Sequence, residues 1–314
     1  MSTPVVIDTD NSLGELSSEV DDAFALSAAL GEPRLLPVGV TTVFGNTDVK
    51  SATRLTRELL DGLGAPELPL HPGAARPVRR PPRDGFPSAP DSPDAVASFA
   101  RLARAHPGEL VLVAIGPLTN VARFVESEPD AAQLLREIVV MGGTYTRTTR
   151  RSDYPGEFNF WHDPDAAATV FAAGIPLRLI GLDVTEQVRL SRSDAAALAA
   201  LGGPLERLGR YATAWIDATA ARRPRDPIAA ESCAMHDALA LAAVAHPELF
   251  EWANASVHIE TESELTRGVV VADFLTRANA PHPNARIAVD VRVDDAKNWL
   301  MASLRQASAA VESQ

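Results

Sequence analysis

The sequence carries one cysteine, Cys233, so no disulfide can form within the chain. That single thiol fits a reducing compartment. At 314 residues the chain buries enough core to fold without such a staple. Lysine is scarce as well, with Lys50 and Lys297 the two present. The opening MSTPVVIDTD lacks a basic segment and a long apolar run, and reads as a first β-strand rather than a signal peptide. No apolar run reaches the roughly 18–20 residues that span a bilayer. A cytoplasmic protein with no membrane segment is expected. Excess positive charge is also missing: the formal net charge is −12, which argues against a nucleic-acid partner. Neither a fixed-period repeat nor a low-complexity linker divides the chain, so 1–314 reads as one domain.

What is present is an alternation of short Val/Ile/Leu runs with longer helical patterns. Strands are expected at 4–7, 36–43, 110–115, 138–141, 177–182, 256–260, 268–272 and 286–291. Helices are expected at 22–30, 51–63, 93–105, 118–126, 164–173, 194–201 and 205–221, with another starting near His236. Several strands are apolar without alternation, as in strands buried on both faces. The expected fold class is α/β: an open, mostly parallel central sheet with helices on both faces, with a Rossmann-like core. Two stretches rich in Pro and Arg, 76–93 and 222–227, read as surface loops or lids.

Acidic residues gather early. The first strand ends in Asp8-Thr9-Asp10, and Asp21-Asp22 opens the next helix. Ligands bind beyond the carboxyl ends of strands in such sheets. Asp8 and Asp10 are two apart and share a direction while the chain is extended. A helix dipole favours Asp21 and Asp22 but does not offset the repulsion among four carboxylates. Such a group must protonate, be solvated or hold a cation. An all-oxygen ligand set points to a hard divalent ion. Asp8 equally suits a brace for the loop.

Other strand ends add polar groups to the same rim. Phe44-Gly45-Asn46 follows the second strand, and Gly116-Pro117-Leu118-Thr119-Asn120 follows the third. At Ile115–Gly116 the backbone can approach a ligand and offer a carbonyl. Met141-Gly142-Gly143 ends the fourth strand, Glu157-Phe158-Asn159 lies downstream, and His236-Asp237 opens an apolar helix.

In this order the motifs DTD, VDD, TTVFGN, GPLTN, VVMGG, EFN and MHD resemble the inosine-uridine preferring nucleoside hydrolase family. The resemblance runs from about residue 4 to about 300, and Arg267-Gly268 with Asp273 fits its late pattern. It implies a Ca²⁺-dependent ribonucleoside hydrolase. By resemblance, Asp10, Asp22, Asp237 and the Ile115 carbonyl would ligate Ca²⁺. Asp21, Asn46, Glu157 and Asn159 would bind ribose hydroxyls and the 5′ side, and Met141 would touch the sugar. Asp10 would be the base for the attacking water, and His236 would protonate the departing base. The reaction implied is direct water attack through an oxocarbenium-like state. The resemblance also implies a homodimer or homotetramer.

Two stretches depart from the family pattern. Ten residues, 11–20, separate Asp10 from Asp21 where the family has a short Pro-Gly turn, so the longer loop must fold back. Between MGG and EFN no Asn matches the family's contact to the 5′-hydroxyl. Arg147, Arg150 and Arg151 there suit either a solvated loop or a 5′-phosphate. Two other readings stay open. A haloacid-dehalogenase-like phosphohydrolase also opens with DxD, but needs a lysine after a suitable strand. A ribose- or nucleoside-binding homologue with impaired catalysis would keep the same residues.

Overall fold

The computed structural model describes residues 2–15, 18–79, 91–146 and 154–312. The strands in chain order are β1 (Thr3–Thr9), β2 (Leu35–Thr42), β3 (Leu70–Pro72), β4 (Val111–Ala114), β5 (Glu137–Met141) and β6 (Leu177–Ile180), followed by β7 (Arg189–Ser191), β8 (Ser232–Ala234), β9 (Phe250–Ile259), β10 (Val270–Asp273) and β11 (Ala285–Val291). Nine form one sheet in the order β10-β9-β11-β6-β5-β4-β1-β2-β3, and β7 pairs with β8 separately. β1 to β6 and β11 are mutually parallel, and β9 runs antiparallel to β10 and β11. The expected α/β class, an open and mostly parallel sheet, is the fold observed.

Period-two alternation explains the layering. In β1, Val5 and Ile7 point into one apolar cluster and Val6 into another. In β4, Val111 and Val113 take the first side while Leu112 and Ala114 take the second. Helices Asp21–Gly31, His236–Ala245 and Val293–Glu312 cover the first face. Helices Asp94–Ala105, Thr119–Ser127 and Pro164–Phe171 cover the other. Each fully buried Val, Leu or Ile contributes about 1.5–3 kcal/mol. A double-sided core therefore tolerates the cost of several buried carboxylates at its edge.

The strand order reverses at β1, which lies between β2 and β4. A crevice forms outside the carboxyl ends at such a switch point. Asp8 in β1 sits in register with Thr41 of β2 and Ala114 of β4.

Several elements differ from the sequence reading. The expected strand 256–260 begins earlier, at Phe250, because its antiparallel pairing with β11 extends it. The strand expected at 268–272 is Val270–Asp273. Helix Val293–Glu312 was not anticipated, although Ala296, Trp299, Leu300, Leu304 and Ala307 make a helical apolar stripe. Strands β3, β7 and β8 span three residues each, too short for periodicity to show. Residues 223–226 form an exposed link between two helices, apart from a half-buried Asp226. Most of 76–93 and the arginines at 147, 150 and 151 lie outside the described residues. No helix among the described residues is long and apolar enough to cross a membrane.

Candidate active site

At the switch point an open cleft of about 430 Å³ is lined by Asp21, Asn46, Ile115, Met141, Glu157, Asn159, His236 and Asp237. These are eight of the ten residues expected from sequence. The other two, Asp10 and Asp22, are buried alongside and tied to the lining through Asn46. The backbone N–H of Asn46 donates to Asp10 Oδ2 at 2.6 Å, and its side-chain amide donates to Asp22 Oδ2 at 3.2 Å. Asp22 Oδ1 also accepts from the Thr9 hydroxyl. Glycines on two sides make room for Asp10. A β-carbon on Gly45 would lie 1.9 Å from Asp10 Oδ2, and one on Gly116 would lie 3.0 Å from Oδ1.

The described residues of the 11–20 loop, 11–15 and 18–20, fold back against the site. Asn11 anchors the loop by donating from Nδ2 to Thr56 at 3.3 Å and accepting from the Leu13 backbone at 3.1 Å. Leu13 then enters the core, and the Ser12 hydroxyl donates to the Glu19 carbonyl at 3.2 Å. Atoms of Asp21, Asp22 and Asp237 approach within 4.8 Å of one another. Asp21 thus joins the tightest carboxylate trio, where the sequence reading had placed it among the sugar contacts. Asp21 Oδ2 accepts from the backbone N–H of Asp237 at 3.3 Å, at the start of helix His236–Ala245.

The electrostatics follow from crowding in a buried place. Burial and then the neighbouring Asp22 push Asp10 well above the ordinary carboxylate range. Burial, then Glu19 and Asp22, do the same to Asp21. Asp237 is raised by burial and by Asp21, Asp22, Asp10 and Glu19. Asp22 is raised by burial to about 6, moderated by its bonds to Thr9 and Asn46. The leading charges acting on Asp10, Asp21 and Asp237 are negative, and among the described residues the buried atoms Asp10 Oδ1 and Asp21 Oδ1 have no hydrogen-bond partner. Leaving a buried carboxylate uncompensated costs several kcal/mol. Orphaned oxygens, an all-oxygen donor set and mutual proximity fit a hard divalent cation such as Ca²⁺.

Asp8 braces the site from behind. Its Oδ1 accepts from Thr41 at 2.6 Å and from the Asn120 amide at 2.8 Å, and burial raises it to about 7. Asn120 of the GPLTN motif also donates to the Thr42 carbonyl at 3.0 Å and accepts from Ala74 N at 2.7 Å. It stitches three segments together below the cleft.

On the far wall, Glu157 caps helix Phe158–His162. Its Oε1 accepts from Asn159 N at 2.8 Å, and its Oε2 accepts from Phe160 N and Gly143 N at 3.1 Å each. Asn159 Nδ2 donates to the carbonyls of Ile115 at 3.1 Å and Met141 at 3.2 Å. The strand-end carbonyls of β5 and the turn after β4 are thereby tied to one amide.

Sequence reasoning missed four further lining residues, Glu19, Tyr154, Phe158 and Leu182. Glu19 stands two residues before Asp21, so the acidic run itself was a usable signal. Phe158 lies inside the EFN motif. Tyr154 stacks on Trp161 at a centroid distance of 4.9 Å, edge-on to Phe158 at 5.9 Å, and no local pattern announces it. Leu182 follows β6.

A doubly wound sheet with a cleft over a carboxylate floor at its switch point defines an α/β enzyme. Residues 5–298 match the inosine-uridine preferring nucleoside hydrolase family, and the chain belongs to that family of N-glycosyl hydrolases. The non-specific ribonucleoside hydrolase RihC of Escherichia coli (strain SMS-3-5 / SECEC) is 34 % identical over 98 % of this chain and 100 % of its own. A purine-preferring ribonucleoside hydrolase from Gardnerella vaginalis superposes with a TM-score of 0.84 at 27 % identity, covering 98 % of this chain and 99 % of that one. A plant nucleoside hydrolase, PpNRh1, shares the fold with a TM-score of 0.84 at 24 % identity, over 97 % of this chain and 99 % of that one. Family membership sets aside the phosphohydrolase reading.

Proposed function

We propose that this protein hydrolyses the N-glycosidic bond of ribonucleosides to free base and ribose, using Ca²⁺ held by Asp10, Asp22, Asp237 and the Ile115 carbonyl, with Asp21 beside them. The observation that carries this reading is the convergence of four buried carboxylates, two with oxygens that find no partner among the described residues, beneath a cleft at the switch point. The relatives' names support ribonucleosides as the substrate class. A cytoplasmic homodimer or homotetramer goes with the same reading.

The bound cation supplies positive charge that acidifies a water and exchangeable positions for hydroxyl oxygens. Asp10 accepts the proton of the attacking water through Oδ1, while the Asn46 N–H holds Oδ2. Asp21, Asn46, Glu157 and Asn159 bind the ribose hydroxyls and the 5′ side, and Met141 touches the sugar. The Glu157 carboxylate accepts from the backbone N–H groups of Gly143, Asn159 and Phe160, which hold it on the cleft wall. Holding the ring in this way makes the water attack nearly unimolecular. The surrounding carboxylates favour positive charge developing at C1′ in an oxocarbenium-like state. His236, on the cleft wall, assists the departing base.

No separate protein nucleophile emerges, so the product is the inverted anomer. Proton NMR of the first ribose released from a β-nucleoside should show the α-anomer. Retention, or a trapped ribosyl-enzyme, would overturn direct displacement. Tight nucleoside binding with no turnover at high enzyme concentration would favour a binding protein.

A further inference from the structure

His236 presents a hydrogen-bonding choice that the fold has already made. Its Nδ1 lies 2.8 Å from the hydroxyl of Thr185, which is fully buried at the end of the short helix Leu182–Thr185 after β6. The two segments are held in place by backbone pairing. β7 and β8 align Leu190 with Cys233, and Met235 N donates to the Val188 carbonyl at 3.0 Å. Nδ1 therefore sits against Thr185 by construction.

A threonine hydroxyl has one proton to donate, and a neutral imidazole has one donor and one acceptor nitrogen. Among the described residues the Thr185 hydroxyl has His236 Nδ1 as its hydrogen-bond partner and no other. A buried donor left unpaired costs about 1–3 kcal/mol. The favoured arrangement has Thr185 donating to Nδ1, which makes Nδ1 the acceptor and places the ring proton on Nε2. The opposite tautomer would aim two protons at one contact or strand that of Thr185.

We propose that Thr185 is a positioning residue that fixes neutral His236 in its Nε2–H form, so that the histidine meets the departing base as a hydrogen-bond donor. This rests on the nucleoside hydrolase reading and refines it. As the C1′–N bond breaks, its electron pair stays with the base, and the Nε2–H group stabilises the charge gathering there. No proton need leave the ring during that step, so the neutral histidine is not required to become an anion. A fixed donor aimed at developing charge acts without reorganising during the reaction.

The tautomer can be read without activity. ¹⁵N NMR of imidazole-labelled protein at about pH 8, above the ordinary histidine range of about 6.5, should show His236 Nδ1 as the unprotonated nitrogen and Nε2 as the protonated one. Thr185→Val should mix the two forms and Thr185→Ser should restore the first. A wild-type ring protonated on Nδ1 would overturn the proposal whatever the enzyme's activity.

Kinetics supply the second reading. Thr185→Val should lower kcat on inosine or uridine by roughly tenfold, the loss of one well-placed hydrogen bond, with KM little changed. On 4-nitrophenyl β-ribofuranoside, whose leaving group needs no donor, the fall should be much smaller. Thr185→Ser should recover most of the loss. An equal fall on both substrates would mean that Thr185 serves packing alone. Wild-type protein inert toward nucleosides would instead reject the hydrolase reading, leaving the NMR result to decide the tautomer.

Discussion

Gly45 lies so close to Asp10 that a β-carbon on it would fall 1.9 Å from the carboxylate Oδ2. The turn after β2 thus requires glycine because the side chain at the end of β1 occupies the space. Gly45→Ala must push Asp10 aside or distort the turn that carries Asn46. A misplacement of about 1 Å at a reacting group costs about 100-fold in rate. Steady-state kinetics of Gly45→Ala should show kcat/KM down by at least that factor, with the far-ultraviolet circular dichroism retained. Near-wild-type activity would mean that Asp10 has slack the structure does not show.

Removing the cation should expose the repulsion among the carboxylates. In the cation-free fold, burial raises Asp22 to about 6 and Asp8 to about 7, from ordinary values of 3.8. A group raised in this way favours the folded state at low pH, and its contribution is lost as pH climbs from about 4 to about 7. The gain in Tm on adding Ca²⁺ to chelator-treated protein should therefore grow as pH is raised across that window. At saturating ion near neutral pH it should reach roughly 5 °C or more. A gain that is flat with pH would indicate a cation site remote from these groups.

His162 gives the opposite slope. It is packed 4.0 Å from Phe158 and 6.1 Å from Phe44 between ring centroids, and burial lowers it from 6.5 to about 4. The unfolded chain then takes up the proton first, so stability falls as pH drops from about 6.5 toward 4. The full loss is on the order of 3 kcal/mol. Denaturant titrations of wild type and His162→Phe, both saturated with Ca²⁺, should diverge in slope across that window. Parallel curves would contradict the assignment.

Arg267 anchors the β9–β10 hairpin to helix Pro164–Phe171. It pairs with Asp165 and donates to the Thr261 carbonyl. Beside it, Gly268 packs so tightly that a β-carbon would lie 2.9 Å from the Trp161 Cα. The pair is partly buried, so its loss should cost about 2 kcal/mol, below the figure for a fully buried pair. Arg267→Ala should also raise KM more than it lowers kcat, because helix Pro164–Phe171, which it pairs with, directly follows helix Phe158–His162 with its cap Glu157 and Asn159. Unchanged stability and KM would show the hairpin to be independent of the site.

Most of the sheet was legible because Val/Ile/Leu runs at β1, β4, β5 and β6, and the second half of β2, are buried on both faces and need no alternation to stand out. The candidate site was legible where function sits at strand ends, as at Asp10, Asn46, Ile115 and Met141. Burial, not spacing, decides the remainder. Nothing local says that Asn120 bridges Asp8, Thr42 and Ala74, or that Asp21 rather than Asp10 joins Asp22 and Asp237 most closely. Tyr154 reaches the cleft through aromatic packing from a segment with no periodic pattern. The 11–20 loop could be judged only in three dimensions, where Asn11 and Leu13 anchor its first half.

The central claim is tested most directly by following free base released from inosine and uridine while Ca²⁺ is titrated into chelator-treated wild-type protein and Asp10→Asn. Release that rises with Ca²⁺ occupancy in the wild type, and falls by at least roughly 100-fold in the variant at saturating ion, is the predicted result. Release that is indifferent to chelation, or that survives in Asp10→Asn, would contradict a cation-assisted hydrolysis centred on these carboxylates.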